Sequence, residues 1–202
     1  MSIIVAIEGI DGASKFTQAT LLANKLNGLV ISFPNYSTPT GELIARHLKG
    51  ETLPPVAFQS LQTVNKLEAL PMIKEAQRQN IPIIFDRYYM SGMVYGQLDN
   101  LNGTWLDVIH STLPEPTLWI FLDLPKEESF NRRPERRDNY EKDIELMGRA
   151  RDKYLKVAKT MTNAYIVNAL GTKEEVHNTI MEIVNNYWKI HLNKVLECLE
   201  KS

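Results

Sequence analysis

Three short stretches carry residue types that could handle phosphate. GIDGASKFTQ, residues 9–18, follows an apolar run, and its Gly9 and Lys15 have the spacing of the loop G-x-x-x-x-G-K-[ST]. In that loop backbone N–H groups cradle phosphate oxygens and the lysine adds a mobile positive charge. Two parts of the pattern are altered here. Ser14 takes the place of the second glycine, and Phe16 that of the hydroxyl that binds magnesium, although Thr17 keeps a hydroxyl one position on. These ten residues also fit a glycine-containing strand–helix turn with a surface lysine. The second stretch centres on Asp86 and Arg87, which close the apolar run IPIIFD. Charged groups at a buried strand end are costly unless paired or in use, and the fork of an arginine suits a phosphate. The other reading of this dipeptide is a structural Asp–Arg ion pair. The third is RRPERR, with Arg132, Arg133, Arg136 and Arg137. As a bare sequence it fits a solvated charged turn; its acidic neighbours and lack of interleaved aromatics argue against a nucleic-acid patch.

The elements that must position these residues alternate along the chain. Apolar runs over 3–8, 29–33, 81–86, 118–123 and 164–169 read as strands, and they lack internal alternation. Helical patterning covers 15–27, 41–48, 56–79, 91–98 and 105–112, then a charged region between the last two strands, and a closing stretch from about residue 173. Pro71 should kink or break the long 56–79 stretch. Strands of this kind separated by helices predict an α/β protein with a five-stranded parallel sheet covered on both faces. Ligands of such sheets bind beyond the carboxyl ends of the strands. Gly9, Pro34 and Asp86 all fall there, and Pro34 begins a segment, FPNYSTPTG, that turns twice at proline.

Composition narrows the functional classes. The 202 residues suit one domain spanning 1–202, with 44% apolar and 23% charged residues. A formal net charge of -1 provides no general attraction to nucleic acid or anionic membrane. The single Cys198 cannot form an internal disulfide, which fits a reducing, cytoplasmic setting. The opening MSIIVAIEG is too short for a secretory h-region and lacks a basic flank. The histidines at 47, 110, 177 and 191 are scattered, without metal-ligand spacing.

Six motifs in order make the chain resemble the thymidylate kinase family of nucleoside monophosphate kinases. They are E-G-x-D-G-x-x-K-x-T-Q from Glu8, F-P-x-x-S-T-x-x-G from Phe33, N-[RK]-x-E from Asn65, D-R-Y-x-x-S-G from Asp86, L-P-x-P-x-L-x-x-F-L from Leu113, and Tyr140–Glu141 after the basic segment. The resemblance runs from residue 3 to about 154. It implies a three-layer P-loop kinase fold with a lid segment at about 132–139, ATP and Mg2+ as cofactors, nucleotide substrates and a homodimer, with neither nucleic acid nor membrane as partner. It implies that Gly9, Gly12, Ala13, Ser14, Lys15 and Thr17 hold ATP. Asp11 would bind the deoxyribose 3′-hydroxyl and help place the acceptor phosphate, and Arg87 would grip that phosphate. Asp86 would help organise the magnesium–phosphate centre. Phe33, Pro34, Tyr36, Gln62, Lys66, Ser91, Gly92, Tyr95 and Tyr140 would surround the monophosphate substrate. Because Gly12 stands in the loop where some members carry a catalytic arginine, the arginines at 132, 133, 136 and 137 resemble those of the members that place it in the lid.

The chain departs from the family at both ends of the implied site. The family usually has arginine at Tyr36, a phenylalanine that stacks on thymine at Gln62, and a base-reading arginine at Lys66. With Ser14 and Phe16, five expected contacts change. The resemblance implies ATP-dependent phosphorylation of a deoxynucleoside monophosphate, dTMP by default. The alterations leave two alternatives: a weak or inactive nucleotide-binding relative, or a kinase for a modified or other pyrimidine monophosphate.

Overall fold

The computed structural model describes residues 2–132 and 143–200. Five strands form one parallel sheet: β1 (Ile4–Glu8), β2 (Leu29–Ser32), β3 (Ile83–Asp86), β4 (Leu118–Asp123) and β5 (Ala164–Asn168), in the order β2-β3-β1-β4-β5. The register sets Ile7 beside both Asp86 and Ile120, so the carboxyl ends of the three central strands finish together.

The lack of alternation in the strands has a direct cause: β1 is buried at every residue. Ile4 and Ala6 face one core with Phe85, Trp119 and Phe121; Val5 and Ile7 face the other with Ile84, Ile120 and Leu122. The first core is closed by α4 (Leu70–Arg78), α5 (Tyr89–Leu98) and α8 (Ile144–Thr160), through Ile73, Val94 and Tyr154. The second is closed by α1 (Lys15–Leu26) and α9 (Lys173–Glu200), through Leu22 and Ile180. Three layers result, as the sequence predicted.

Boundaries moved where caps decided them. The long helical stretch is two helices, α3 (Pro55–Leu67) and α4, and Pro71 sits in the first turn of the second, where its missing N–H leaves no bond unmade. α2 (Pro39–Leu48) starts ahead of the expected residue 41 because the Thr38 hydroxyl accepts from Gly41 N. α6 (Gly103–His110) starts early for the same reason, with Asn102 accepting from Trp105 N. A short α7 (Lys126–Arg132) follows β4. Arg133, Arg136, Arg137, Tyr140 and Cys198, and with them most of the expected lid, lie outside the described residues or side chains.

Candidate active site

The chain between β1 and α1 is shaped by backbone conformations that ordinary residues avoid. Gly9 has φ 148°, and a Cβ there would lie 2.7 Å from the Leu122 carbonyl oxygen. Gly12 has φ 78°. Ser14 adopts φ 64°, ψ 29°, the left-handed conformation that a glycine takes freely and a serine takes at a cost of about 1–2 kcal/mol. The substitution at Ser14 therefore leaves the turn intact and loads it with strain. Its hydroxyl makes no cap hydrogen bond. Phe16 is 61% exposed and lines the cleft mouth beside Thr17.

Lys15 is not a surface lysine. Only 7% of it is exposed, and its Nζ donates to the Ile10 carbonyl at 2.9 Å, 3.7 Å from Asp11. Burial, reinforced by the Arg87 charge, pulls its ammonium down to about 8.

Arg87 turns out of β3 with φ 62°, a positive φ for a long side chain. Its guanidinium swings back over the loop. Nη2 donates to Asp11 Oδ1 at 2.5 Å, and Nη1 donates to the Gly9 carbonyl at 3.1 Å and to Ser91 Oγ at 3.3 Å. Of the two readings of Asp86–Arg87, the structural one is changed in its partner: the ion pair runs from Arg87 to Asp11.

Beneath Arg87 lies a group to which the sequence reading assigned no role. Glu8 is fully buried; its carboxylate accepts from Tyr88 N at 2.7 Å, Ser91 N at 3.2 Å, Ser91 Oγ at 2.7 Å and Tyr154 OH at 3.2 Å. Burial pushes its carboxyl up, and the Ser91 and Tyr88 donors and the Arg87 charge oppose the push. The first motif contains Glu8, and only its total enclosure by α5 and α8 shows what it does: it ties the end of β1 to the start of α5. Asn65 was equally mute. Its amide accepts from Asn35 N at 2.7 Å and donates to Thr38 and Thr40 hydroxyls, while Thr40 donates to Glu68 at 2.8 Å. The N-x-x-E motif on α3 is the clamp that holds the proline-rich segment against the cleft.

These groups surround one cleft of about 940 Å³. Asp11, Gly12, Ser14, Lys15 and Thr17 line its loop end, with Asp86 and Arg87 at the strand end. Phe33, Pro34, Tyr36, Gln62, Lys66, Ser91, Gly92 and Tyr95 line the rest, and Arg132 reaches it from α7, bound to Glu128 at 2.9 Å. Gly9 and Ala13 do not line the cleft: the Gly9 carbonyl accepts from Arg87, and Ala13 is buried. Lys66 is 2% exposed, its Nζ 5.7 Å from the centre of the Phe33 ring and donating to the Gln62 carbonyl at 3.1 Å. Burial brings it down to about 8 as well. One end of the cleft thus concentrates cations and backbone N–H groups, as phosphate needs. The other is walled by flat and hydrogen-bonding side chains at the scale of a base.

Comparison with known proteins agrees. The family model described as thymidylate kinase matches residues 7–180. A chain from Saccharolobus solfataricus named "Probable thymidylate kinase 1" is 33% identical over 190 residues, covering 91% of this chain and 97% of that one. The thymidylate kinase of Schizosaccharomyces pombe is 27% identical, covering 97% and 96%. The solved structure of a thymidylate kinase from Candida albicans, described as having broad substrate specificity, superposes with a TM-score of 0.81 at 29% identity over 92% of each chain.

Proposed function

The chain belongs to the thymidylate kinase family, and on that premise we propose that it moves the γ-phosphoryl group of ATP onto dTMP, as a single nucleoside monophosphate kinase domain. One observation carries the reading. The guanidinium of Arg87 is drawn across 76 residues of chain to the Asp11 carboxylate, beside Lys15 and over the glycine loop. That arrangement supports a reading in which a forked cation and a second, buried cation flank the point where donor and acceptor phosphates meet.

Phosphoryl transfer asks the protein for in-line positioning and positive charge rather than covalent chemistry. Lys15 and the N-terminus of α1 hold the donor phosphates. Arg87 holds the acceptor phosphate, with Asp11 fixing its orientation and binding the deoxyribose hydroxyl. Glu8 and Ser91 brace Arg87 from below. Asp86 and Thr17 both line the cleft, and oxygen donors of this kind fit Mg2+, which prefers few protein ligands and several phosphate oxygens. When bound, the metal supplies charge neutralisation of the transferring group. Arg132 is the described member of the arginine set that closes the site.

No helix among the described residues is long and apolar enough to cross a membrane. Nucleotide substrates and a lone cysteine fit a cytoplasmic enzyme. A homodimer fits the half-exposed apolar residues of α2, α3 and α4, Leu43, Val56, Val64 and Met72. The deciding experiment is a coupled assay of the purified chain with ATP, magnesium and a panel of deoxynucleoside monophosphates. Turnover with dTMP is the expected result, and no turnover with any of the panel would overturn the reading.

A further inference from the structure

The face of α3 turned to the cleft carries a polar stripe beside Phe58. Gln59, Gln62 and Lys66 recur at i, i+3 and i+7, one stripe of the helix, and all three line the cleft. Gln59 is the most enclosed of them. It is 1% exposed, and its Oε1 has no hydrogen-bond partner among the described residues. Native proteins rarely leave a buried amide oxygen unmatched, so such an atom calls for a cause.

A second unmatched group lies behind Gly92, which lines the cleft. His110, at the end of α6, is 3% exposed and stacks on Tyr89 at 5.5 Å, and neither ring nitrogen has a partner among the described residues. Burial first, and the charge of Lys66 second, bring its pKa down to about 4, so the ring is neutral and carries one N–H. The two groups converge at Gly92. A Cβ built there would lie 2.9 Å from His110 Nε2 and 3.3 Å from Gln59 Oε1. The missing side chain of Gly92 is what lets the Gln59 amide and the imidazole share one corner of the cleft wall. With Oε1 turned into that corner, the N–H2 end of the amide is the end left for the cleft.

We propose that Gln59 is a base-reading residue, its amide N–H2 donating to the 4-carbonyl of the substrate's pyrimidine, while His110, as a positioning residue, turns a ring nitrogen towards the corner that Oε1 occupies and holds the amide in that orientation. Together with Lys66 this makes the stripe rich in donors. It accepts a base with two ring carbonyls, thymine or uracil, and disfavours cytosine, whose 4-amino group brings a donor to a donor. This assignment rests on the deoxynucleoside monophosphate reading above.

Calorimetric binding to the full chain tests it without needing turnover, with dTMP, dCMP and deoxyribose 5-phosphate as probes. The parent is expected to bind dTMP tighter than dCMP. Gln59→Met, which keeps the length and removes the donor, should weaken dTMP binding by about three- to tenfold, narrow the dTMP-to-dCMP ratio, and leave deoxyribose 5-phosphate and ATP affinity unchanged. His110→Phe, which keeps the stacking on Tyr89 and removes both nitrogens, should move the ratio the same way, and it serves as the test if the methionine variant melts early. Equal losses for all three probes would show a merely structural role, and an unchanged ratio in a folded variant would refute the proposal outright. A parent that binds dTMP no tighter than deoxyribose 5-phosphate would refute it too. A parent that binds dTMP selectively but does not turn it over would fell the kinase reading while leaving the role of Gln59 standing.

Discussion

The two ends of the cleft are built from different materials. The loop end is made mostly of backbone: two glycines and a serine at positive φ, the amides at the start of α1, and one buried lysine. The base end is made of side chains on one face of α3 and around Gly92. A backbone site survives a change of side chain as long as the new residue can adopt the same dihedrals, which is what Ser14 does. A side-chain site has no such reserve. Replacing an aromatic ring by Gln62, or a guanidinium by Lys66, changes what is recognised even though the helix is unmoved. Alterations in the loop are therefore expected to act on rate and stability, and alterations on α3 on substrate choice.

The largest test of that contrast is Lys15→Ala, which removes the one side-chain cation of the loop. Turnover should fall on the order of 10²–10³-fold, the usual size of a lost transition-state donor, with little change in the relative use of different monophosphates. A variant that kept its rate would show that the loop end does not hold the donor phosphates. The same lysine predicts a pH dependence. With its pKa held near 8, it is charged below that value and neutral above it, so kcat/KM for ATP should decline as pH rises past 8.

Arg87→Ala comes next. A charge-assisted phosphate contact contributes about 1.5–3 kcal/mol, roughly ten- to a hundredfold in affinity. Tyr36, 52% exposed, offers no second guanidinium to compensate. Binding of dTMP and of deoxyribose 5-phosphate should weaken together, because the lost contact is to phosphate; selective loss of one of them would place Arg87 at the base instead.

Gln62→Phe probes the opposite end. Restoring a stacking face should strengthen binding of the base, by about 1–3 kcal/mol if stacking is fully regained, and should shift preference among monophosphates while kcat stays within about twofold. A change in kcat with no change in preference would break the contrast between the two ends.

Phe16→Thr restores a hydroxyl where the loop pattern has one. Because Phe16 is largely exposed, the exchange leaves little packing void, and titration of magnesium–ATP should show tighter binding by a few-fold. Ser14→Gly has the smallest effect. It relieves a left-handed serine whose side chain caps nothing, and the added freedom of the unfolded chain offsets part of the gain. Melting should rise by about 1 kcal/mol, or ~2–4 °C, with activity unchanged or slightly higher; a drop in activity would mean that the hydroxyl contacts the phosphates.

Patterns with a short period were readable in the sequence alone. The apolar runs, the glycine-to-lysine spacing, the proline at the head of α4 and the charged dipeptide at the end of β3 each depend on neighbours a few residues away, where sterics and hydrophobic period dictate local form. They were enough to predict a parallel α/β sheet, while the resemblance carried by the six ordered motifs pointed at most of the residues that line the cleft. What the sequence could not carry were choices made across long stretches of chain. Arg87 had an acid beside it and pairs with Asp11, 76 positions away. Glu8 looked like the polar end of a strand and is buried under Tyr88, Ser91 and Tyr154. Lys15 fitted a phosphate lysine or a surface one and Lys66 a base-reading position, but neither pattern showed that both are enclosed, and burial is the largest cause of their lowered proton affinity. Gln59 and His110 carried no local signal and meet only where Gly92 lacks a side chain. Each of these depends on the strand order β2-β3-β1-β4-β5, which brings the ends of β1 and β3 together and lays α3, α5 and α6 around one corner. Burial and pairing are properties of that juxtaposition, and no pattern with a period of two or 3.6 residues contains it.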